Sequence, residues 1–354
     1  MEAKLKLPDF PWDALAPYGQ KAKAHPDGLI DLSQGTPVDP TPDFIQAALK
    51  DAANSPSYPV TIGTPELQAA IKKWATERLG ASGEFAVLPL IGSKELVAWL
   101  PIILEAKEVL YPEIAYPTYL VGAMIAKANA KAVGFDAESW PKADLAWLNS
   151  PSNPTGRVST DSELMSAIDW ARSGGVVVSD ECYLEFGETV TPKSILSLTG
   201  GDNRNILAVH SLSKRSSMAG YRAAMLIGDK DLIAKILEVR KHAGMMVPLP
   251  VQRAMVAALS DSQHVDVQRD RYNLRKSKVR AAIERHGFKV EHSNAGLYLW
   301  ATRGEFDWQS VDWFSKHGVL VTPGHFYGPA GERHIRIAMT ATDAQIDGLV
   351  KRLG

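Results

Sequence analysis

Short apolar runs alternate with longer amphipathic stretches along the first two-thirds of the chain. Residues 85–91, 108–111, 132–135, 145–148, 176–179 and 205–209 are apolar almost throughout, the pattern of strands buried on both faces. Helix-length segments separate many of them, at 95–104, 117–128 and 161–172. Upstream, a short strand at Ile30 runs into a turn at Gly35. A helix over 42–53 follows, with Thr41 as its cap and Pro42 in its first position. After a loop at 57–64 comes a helix over 65–79, whose Leu67, Ala70, Ile71, Trp74 and Ala75 keep helical spacing. Strands separated by helices predict βαβ units, and so a three-layer α/β/α domain with a mainly parallel sheet over about 40–245.

Beyond residue 245 the pattern changes. A long basic amphipathic helix at 264–286 precedes short strands at 288–290, 296–300, 319–321 and 334–338, with helices at 308–317 and from Ala341. This predicts a smaller α+β domain over 246–354. Residues 1–39 are expected to form an N-terminal arm and part of that small domain, because Pro8, Pro11, Pro17 and Pro26 lie too close together for a long helix. No internal repeat or low-complexity segment interrupts this order.

Composition narrows the functional classes. The chain has 354 residues, 45% hydrophobic and 22% charged, with net charge −1, so no global field favours nucleic acid or an anionic membrane. A small-molecule partner is expected. The single cysteine, Cys182, excludes an intramolecular disulfide and a multi-cysteine metal site and fits a cytoplasmic location. The nine histidines show no metal-ligand spacing, so no metal is assigned. The N-terminus lacks the apolar core of a signal peptide, and no stretch reaches the roughly 18 apolar residues that span a bilayer.

Polar residues collect where the strands of the large domain end, which is where open α/β sheets hold ligands. Lys214 lies just past the run 205–209, in His210-Ser-Leu-Ser-Lys-Arg-Ser-Ser-Met-Ala-Gly-Tyr-Arg222. That composition suits a phosphate beside a reactive amine, and equally a solvated basic loop. Asp180 closes the run 176–179 and could cap a following helix or serve a site. Asn149-Ser-Pro-Ser-Asn-Pro-Thr-Gly156 has the composition of a turn. Gly92-Ser93-Lys94 offers backbone N–H groups at a helix start, where an anion is favoured.

In combination, Gly92-Ser-Lys-Glu, Ala115-Tyr-Pro-Thr-Tyr119, Asn153-Pro-Thr-Gly156, Asp180-Glu-Cys-Tyr183, Ser211-Leu-Ser-Lys214 and Gly220-Tyr-Arg222 resemble the motif series of the class I/II aminotransferases of fold type I, which use pyridoxal 5′-phosphate. The resemblance runs from Gly35 to Arg336. It implies that Lys214 forms a Schiff base with the cofactor aldehyde and then moves protons at the substrate carbon. It implies further that Asp180 keeps the pyridine nitrogen protonated, that Asn153 and Tyr183 donate to the ring's phenolic oxygen, and that Tyr116 stacks on the ring. The phosphate would lie on the Ser93 and Lys94 amides, the Ser211 and Ser213 side chains and Arg222, with Tyr58 reaching across from the neighbouring subunit of a homodimer. Arg336 would bind the substrate α-carboxylate and Gly35 would let substrate approach the backbone. Lys94 is a weaker Schiff-base candidate than Lys214, because its helix-start backbone is what such a site uses.

Within the family, Pro-Glu-Ile-Ala-Tyr-Pro-Thr-Tyr and Ser-Leu-Ser-Lys-Arg-Ser resemble the actinobacterial succinyldiaminopimelate aminotransferases, which implies glutamate as donor and N-succinyl-2-amino-6-ketopimelate as acceptor in lysine biosynthesis. A second carboxylate needs a second cation, and Arg215, Lys94 and Arg157 all lie near the cofactor motifs. Leu67-Gln68 stands where the family usually has Leu-Arg. The alternatives are another fold type I reaction, such as an aspartate or aromatic aminotransferase or a β-lyase, and a non-catalytic cofactor-binding regulator, against which the absence of a basic DNA-binding segment argues.

Overall fold

The computed structural model describes residues 7–354. A 3-10 turn, Pro11–Leu15, leads into α1 (Ala16–Lys23), β1 (Ile30–Asp31), α2 (Asp43–Asp51) and α3 (Pro65–Leu79). The central stretch comprises β2 (Ala86–Ile91), α4 (Ser93–Ile103), β3 (Glu108–Pro112), α5 (Thr118–Ile125), β4 (Asn129–Val133), β5 (Leu145–Asn149), α6 (Asp161–Arg172) and β6 (Val176–Asp180). Then come β7 (Ile206–Ser211), α7 (Leu212–Arg215), β8 (Ala223–Gly228), α8 (Lys230–Ala243) and α9 (Leu249–Ser260). The last stretch holds α10 (Gln263–Glu284), β9 (Lys289–Glu291), β10 (Tyr298–Thr302), α11 (Asp307–Lys316), β11 (Val319–Leu320), β12 (Thr322–Pro323), β13 (Ile335–Ala338) and α12 (Asp343–Arg352).

Seven strands form one sheet in the order β2-β8-β7-β6-β5-β3-β4. β8 runs antiparallel to both its neighbours, and the pairs from β7 to β4 are parallel. The apolar runs divide by alternation between two cores. Ile206, Ala208, Val177 and Ala146 face a cluster completed by α3, α6 and α9, whereas Leu207, Val209, Val178 and Trp147 face one completed by α4, α5 and α8. Period-2 side chains buried on both faces are the physical content of a three-layer α/β/α domain. A third core gathers β10, β13, α10, α11 and α12 around Trp300, Phe314 and Ile337. Its sheet is antiparallel in the order β12-β13-β10-β9, and β1 pairs with β11 in parallel beside it.

The N-terminal prolines do keep their helix short: α1 has eight residues, and Pro17 stands in its first turn, where a missing N–H breaks no intrahelical bond. Several expectations are corrected. Thr41 does not cap α2; its hydroxyl donates instead to the Ser217 carbonyl at 2.6 Å, and Pro42 occupies the cap position. The strand expected at 132–135 is β4, displaced toward the N-terminus; as an edge strand it exposes Asn129 and Lys131 and so lacks a buried pattern. The strand expected at 319–321 splits into β11 and β12, which join different sheets. β8 was not expected. It follows directly on the Gly-Tyr-Arg motif, yet Ala223, Met225 and Ile227 face one core and Ala224 and Leu226 the other.

Ile227 is fully buried in this inner strand. Ile227→Ala is expected to lower stability by about 2–5 kcal/mol, the usual cost of a core cavity, seen as an earlier chemical-denaturation midpoint.

Candidate active site

In-register pairing sets Asn149 of β5 beside Asp180 of β6, and Asp180 beside Val209 of β7. The carboxyl ends of these strands open on a cavity of about 800 Å³. Gly35, Ser93, Lys94, Tyr116, Asn153, Asp180, Tyr183, Ser211, Ser213, Lys214, Arg222 and Arg336 all line it. Tyr58 does not; it stands 93% exposed on the chain's own surface.

The floor is a hydrogen-bonded frame. Asp180 caps no helix: its Oδ2 accepts from the Tyr119 hydroxyl at 2.6 Å and its Oδ1 from the Cys182 backbone N–H at 3.2 Å. Burial raises the Asp180 pKa, and these hydrogen bonds together with His210 oppose that rise. Asn149 donates to the Asp180 carbonyl at 2.9 Å and accepts from the Asn153 backbone N–H at 2.8 Å, which ties the Asn-Pro-Thr-Gly turn to the sheet edge. Cys182 is on the cavity wall, and burial pushes its thiol pKa well up.

At one end, α4 begins at Ser93 with Gly92 at φ 76°. A Cβ on Gly92 would lie 2.2 Å from the Arg222 guanidinium, so only glycine lets that side chain cross the helix N-terminus. Arg222, itself left-handed at φ 58°, donates to the Ala219 carbonyl at 2.9 Å. Ser211 and Ser213 come from the end of β7 and from α7, where Ser211 Oγ accepts from the Ser213 N–H at 3.1 Å. Free helix N–H groups, hydroxyls and a guanidinium make a cup for a phosphate.

At the other end, Arg336 of β13 is buried. It donates to Asn153 Oδ1 at 2.9 Å and to the Ser33 carbonyl at 2.6 Å, its Nε has no partner among the described residues, and none of these contacts is a carboxylate. A buried guanidinium without an anion is costly, and it faces a cavity into which a carboxylate can enter. Tyr298 lies 4.3 Å under the guanidinium, and its hydroxyl is 2.9 Å from that of Tyr183. Gly35 serves this arrangement, since a Cβ there would sit 2.1 Å from the Tyr298 hydroxyl. Asn149, Tyr119 and Tyr298 had no assigned role in the sequence reading. Tyr119 and Asn149 stood inside quoted motifs, whereas nothing in the sequence distinguishes Tyr298 from a core residue of its strand.

Lys214 sits on the one-turn helix α7, between these ends. Burial, with Arg336 and Arg222 nearby, lowers its pKa from 10.5 to about 8. Of the three cations considered for a second carboxylate, Arg215 is turned to Glu185 and the Ala258 carbonyl, and Arg157 pairs with Glu163 and lies 3.7 Å from the Phe135 ring. Lys94 remains on the cavity wall, its Nζ 5.9 Å from both the Phe10 and Tyr116 rings.

A doubly wound domain with an amine, a carboxylate and a phosphate cup at its strand ends, and an arginine beside the third core with no carboxylate partner among the described residues, defines a site for a phosphorylated aldehyde cofactor and an amino acid. The family described as aminotransferase class I and II matches residues 27–353, and the chain belongs to it. It is 51% identical over 356 residues to the 4-dedimethylamino-4-oxo-anhydrotetracycline transaminase OxyQ of Streptomyces rimosus, covering 98% of this chain and 99% of that one. It is also 51% identical to the probable aminotransferase Rv1178 of Mycobacterium tuberculosis, over 98% of this chain and 85% of that one. Identity is 33% to an LL-diaminopimelate aminotransferase of Dehalococcoides mccartyi, over 98% and 96%. Among solved structures, a probable N-succinyldiaminopimelate aminotransferase from Thermus thermophilus superposes with a TM-score of 0.88 at 26% identity, covering 97% of this chain and 99% of that one. The enzyme is an aminotransferase that depends on pyridoxal 5′-phosphate.

With its pKa near 8, the Lys214 amine gains its reactive neutral form as pH rises through 8 rather than through 10.5. In cofactor-free protein, the Lys214-dependent reaction with pyridoxal, which lacks the phosphate, is expected to be half-maximal near pH 8. Arg336→Met removes a neighbouring cation and is expected to move that midpoint upward.

Proposed function

We propose that the enzyme transfers the amino group of glutamate to N-succinyl-2-amino-6-ketopimelate, with Lys214 as the lysine that carries the cofactor and moves the proton. When bound, pyridoxal 5′-phosphate supplies an aldehyde that exchanges amino groups and a ring that takes up the electron pair released at the substrate carbon. Asp180, held by Tyr119, would keep the ring nitrogen protonated. Asn153 Oδ1 is taken by Arg336, so its amide N–H groups are what it offers the ring's phenolic oxygen, alongside the Tyr183 hydroxyl. Tyr116 forms the wall on which the ring would rest, and the cup of Ser93, Ser211, Ser213 and Arg222 would take the phosphate. Arg336 would take the substrate α-carboxylate, with Gly35 and Asn153 beside it. Tyr58, exposed and outside the lining of its own cavity, would be available to the phosphate of a second subunit in a homodimer.

The observation that carries the substrate reading is Lys94. Among the described residues it is the lysine or arginine on the cavity wall left over once Lys214, Arg222 and Arg336 have their partners, which supports it as the partner of a distal carboxylate. Glutamate and the succinylated keto acid both carry such a group, and relatives named for diaminopimelate substrates support the same reading. A second reading is an aromatic or polycyclic ketone as acceptor. Phe10, Trp12, Phe326 and Tyr327 line the cavity, and OxyQ is named for a polycyclic substrate.

The test is a panel of half-reactions followed by the visible spectrum of the loaded enzyme. Glutamate and the succinylated keto acid are expected to react fastest, and Lys94→Met to raise KM for both by about tenfold or more, the worth of a charged hydrogen bond, while sparing alanine. Faster turnover of an uncharged polycyclic ketone would favour the second reading; release of ammonia and pyruvate would mean a lyase.

A further inference from the structure

The turn that carries Lys214 is held from below by a polar chain outside the cavity. Ser216 N–H donates to the Leu212 carbonyl at 3.0 Å and closes α7. Ser216 Oγ lies 2.8 Å from His264 Nε2, and His264 Nδ1 lies 2.5 Å from Asp261 Oδ2, which also accepts the His264 backbone N–H at 2.9 Å. Arg215 donates to Ser216 Oγ at 3.2 Å, to the Ala258 carbonyl at 2.7 Å and to the Asp261 carbonyl at 3.3 Å. The chemistry of the groups fixes one direction. A carboxylate only accepts, so Nδ1 carries the ring proton; a guanidinium only donates, so the Ser216 hydroxyl proton is left for the Nε2 lone pair. Although serine, histidine and aspartate stand in the order of a nucleophilic relay, Ser216 is 2% exposed and does not line the cavity, so no substrate reaches it.

We propose that His264, acting through Ser216, is a positioning residue for Lys214: the neutral imidazole accepts the Ser216 hydroxyl and so fixes the α7 turn and the place of the ε-amine at the cavity. This rests on the reading of Lys214 as the reactive lysine. His264 belongs to the first turn of α10, whose later residues Tyr272, Val279 and Ile283 enter the third core, so the same contact ties the lysine turn to the helix that reaches the second sheet. An imidazolium has no acceptor for Ser216 and would stand close to Arg215. The groups facing the ring are Asp261 at the α9–α10 junction, Arg215 on α7, Glu185, which also pairs with Arg78, and the Phe44 ring of α2 at 5.5 Å. Burial, aided by Arg215 and opposed by Asp261 and Glu185, holds the His264 pKa below 6.5. The Ser216-to-imidazole hydrogen bond is therefore intact at neutral pH and is lost only as pH falls through that lowered pKa.

The test compares the loaded wild-type enzyme with Ser216→Ala, His264→Phe and His264→Gln, measuring kcat and KM for glutamate between about pH 5 and 9, the range in which a histidine titrates. The Lys214-dependent reaction of the cofactor-free proteins with pyridoxal is a second readout. Ser216→Ala and His264→Phe are expected to lower kcat about tenfold with KM changed less than about threefold, to slow the pyridoxal reaction similarly, and to lack the acid fall of the wild type. His264→Gln, whose amide oxygen can accept the Ser216 hydroxyl, is expected to recover kcat to within about threefold of wild type and also to lack the acid fall. Wild-type kcat in Ser216→Ala, or a His264→Gln enzyme as impaired as His264→Phe, would overturn the proposal. Should His264→Phe fail to fold, Ser216→Ala and His264→Gln decide between the same outcomes. Pyridoxal reactivity that survives replacement of Lys214 would remove the premise instead, which separates failure of the anchor from failure of the lysine reading.

Discussion

Three cations, Lys214, Arg222 and Arg336, face one cavity, and the structure around them is arranged so that anions must come from outside. None of the three pairs with a carboxylate of the chain at ion-pair distance among the described residues, whereas the buried Arg215, Arg240 and Arg275 each do. Asp180, the carboxylate on the cavity floor, accepts from Tyr119 and a backbone N–H and pairs with none of the three. Like charges gathered in a partly desolvated space lower the lysine's pKa and keep its amine available, and they make a phosphate and an α-carboxylate the natural occupants.

Holding those charges in place takes both halves of the molecule. Lys214 and Arg222 lie between β7 and β8 of the seven-stranded sheet, while Arg336 belongs to β13 and reaches Asn153. The segment after β1 links the halves, because its Thr41 hydroxyl donates to the Ser217 carbonyl beside the lysine turn while its earlier residues bind the smaller half. Ser33 and Gln34 give their carbonyls to Arg336 and Thr340, and Asp39 binds Arg275 and Arg271 of α10. Gly35 lies within that link and leaves space for Tyr298, so a residue read as a place for substrate to approach also lets the two tyrosine hydroxyls meet.

Much of this was legible in the sequence, for a local reason. Strands buried on both faces give continuous apolar runs, and the residues that follow them, Asn149, Asp180 and Ser211, fall at a common edge once the strands are parallel and in register. What was not legible depends on contacts distant along the chain. β8 has a buried pattern, but it starts directly after the motif Gly220-Tyr-Arg222, with no helix-length segment between it and β7 to mark a new strand. Thr41 has the chemistry of a cap and spends it on Ser217, and Tyr119 and Tyr298 look like core aromatics until their hydroxyl partners are seen. Arg215 and Arg157 sit as close to the motifs as Lys94 does, and only their bonds to Glu185 and Glu163 remove them from the cavity.

The central claim is that Lys214 is the amine the site is built to present. Borohydride reduction of the enzyme loaded with pyridoxal 5′-phosphate, followed by peptide mass mapping, tests it most directly. The account predicts that the cofactor's mass is fixed on the peptide containing Lys214 and is lost with Lys214→Ala. Cofactor mass on the peptide containing Lys94, or on neither, would contradict it.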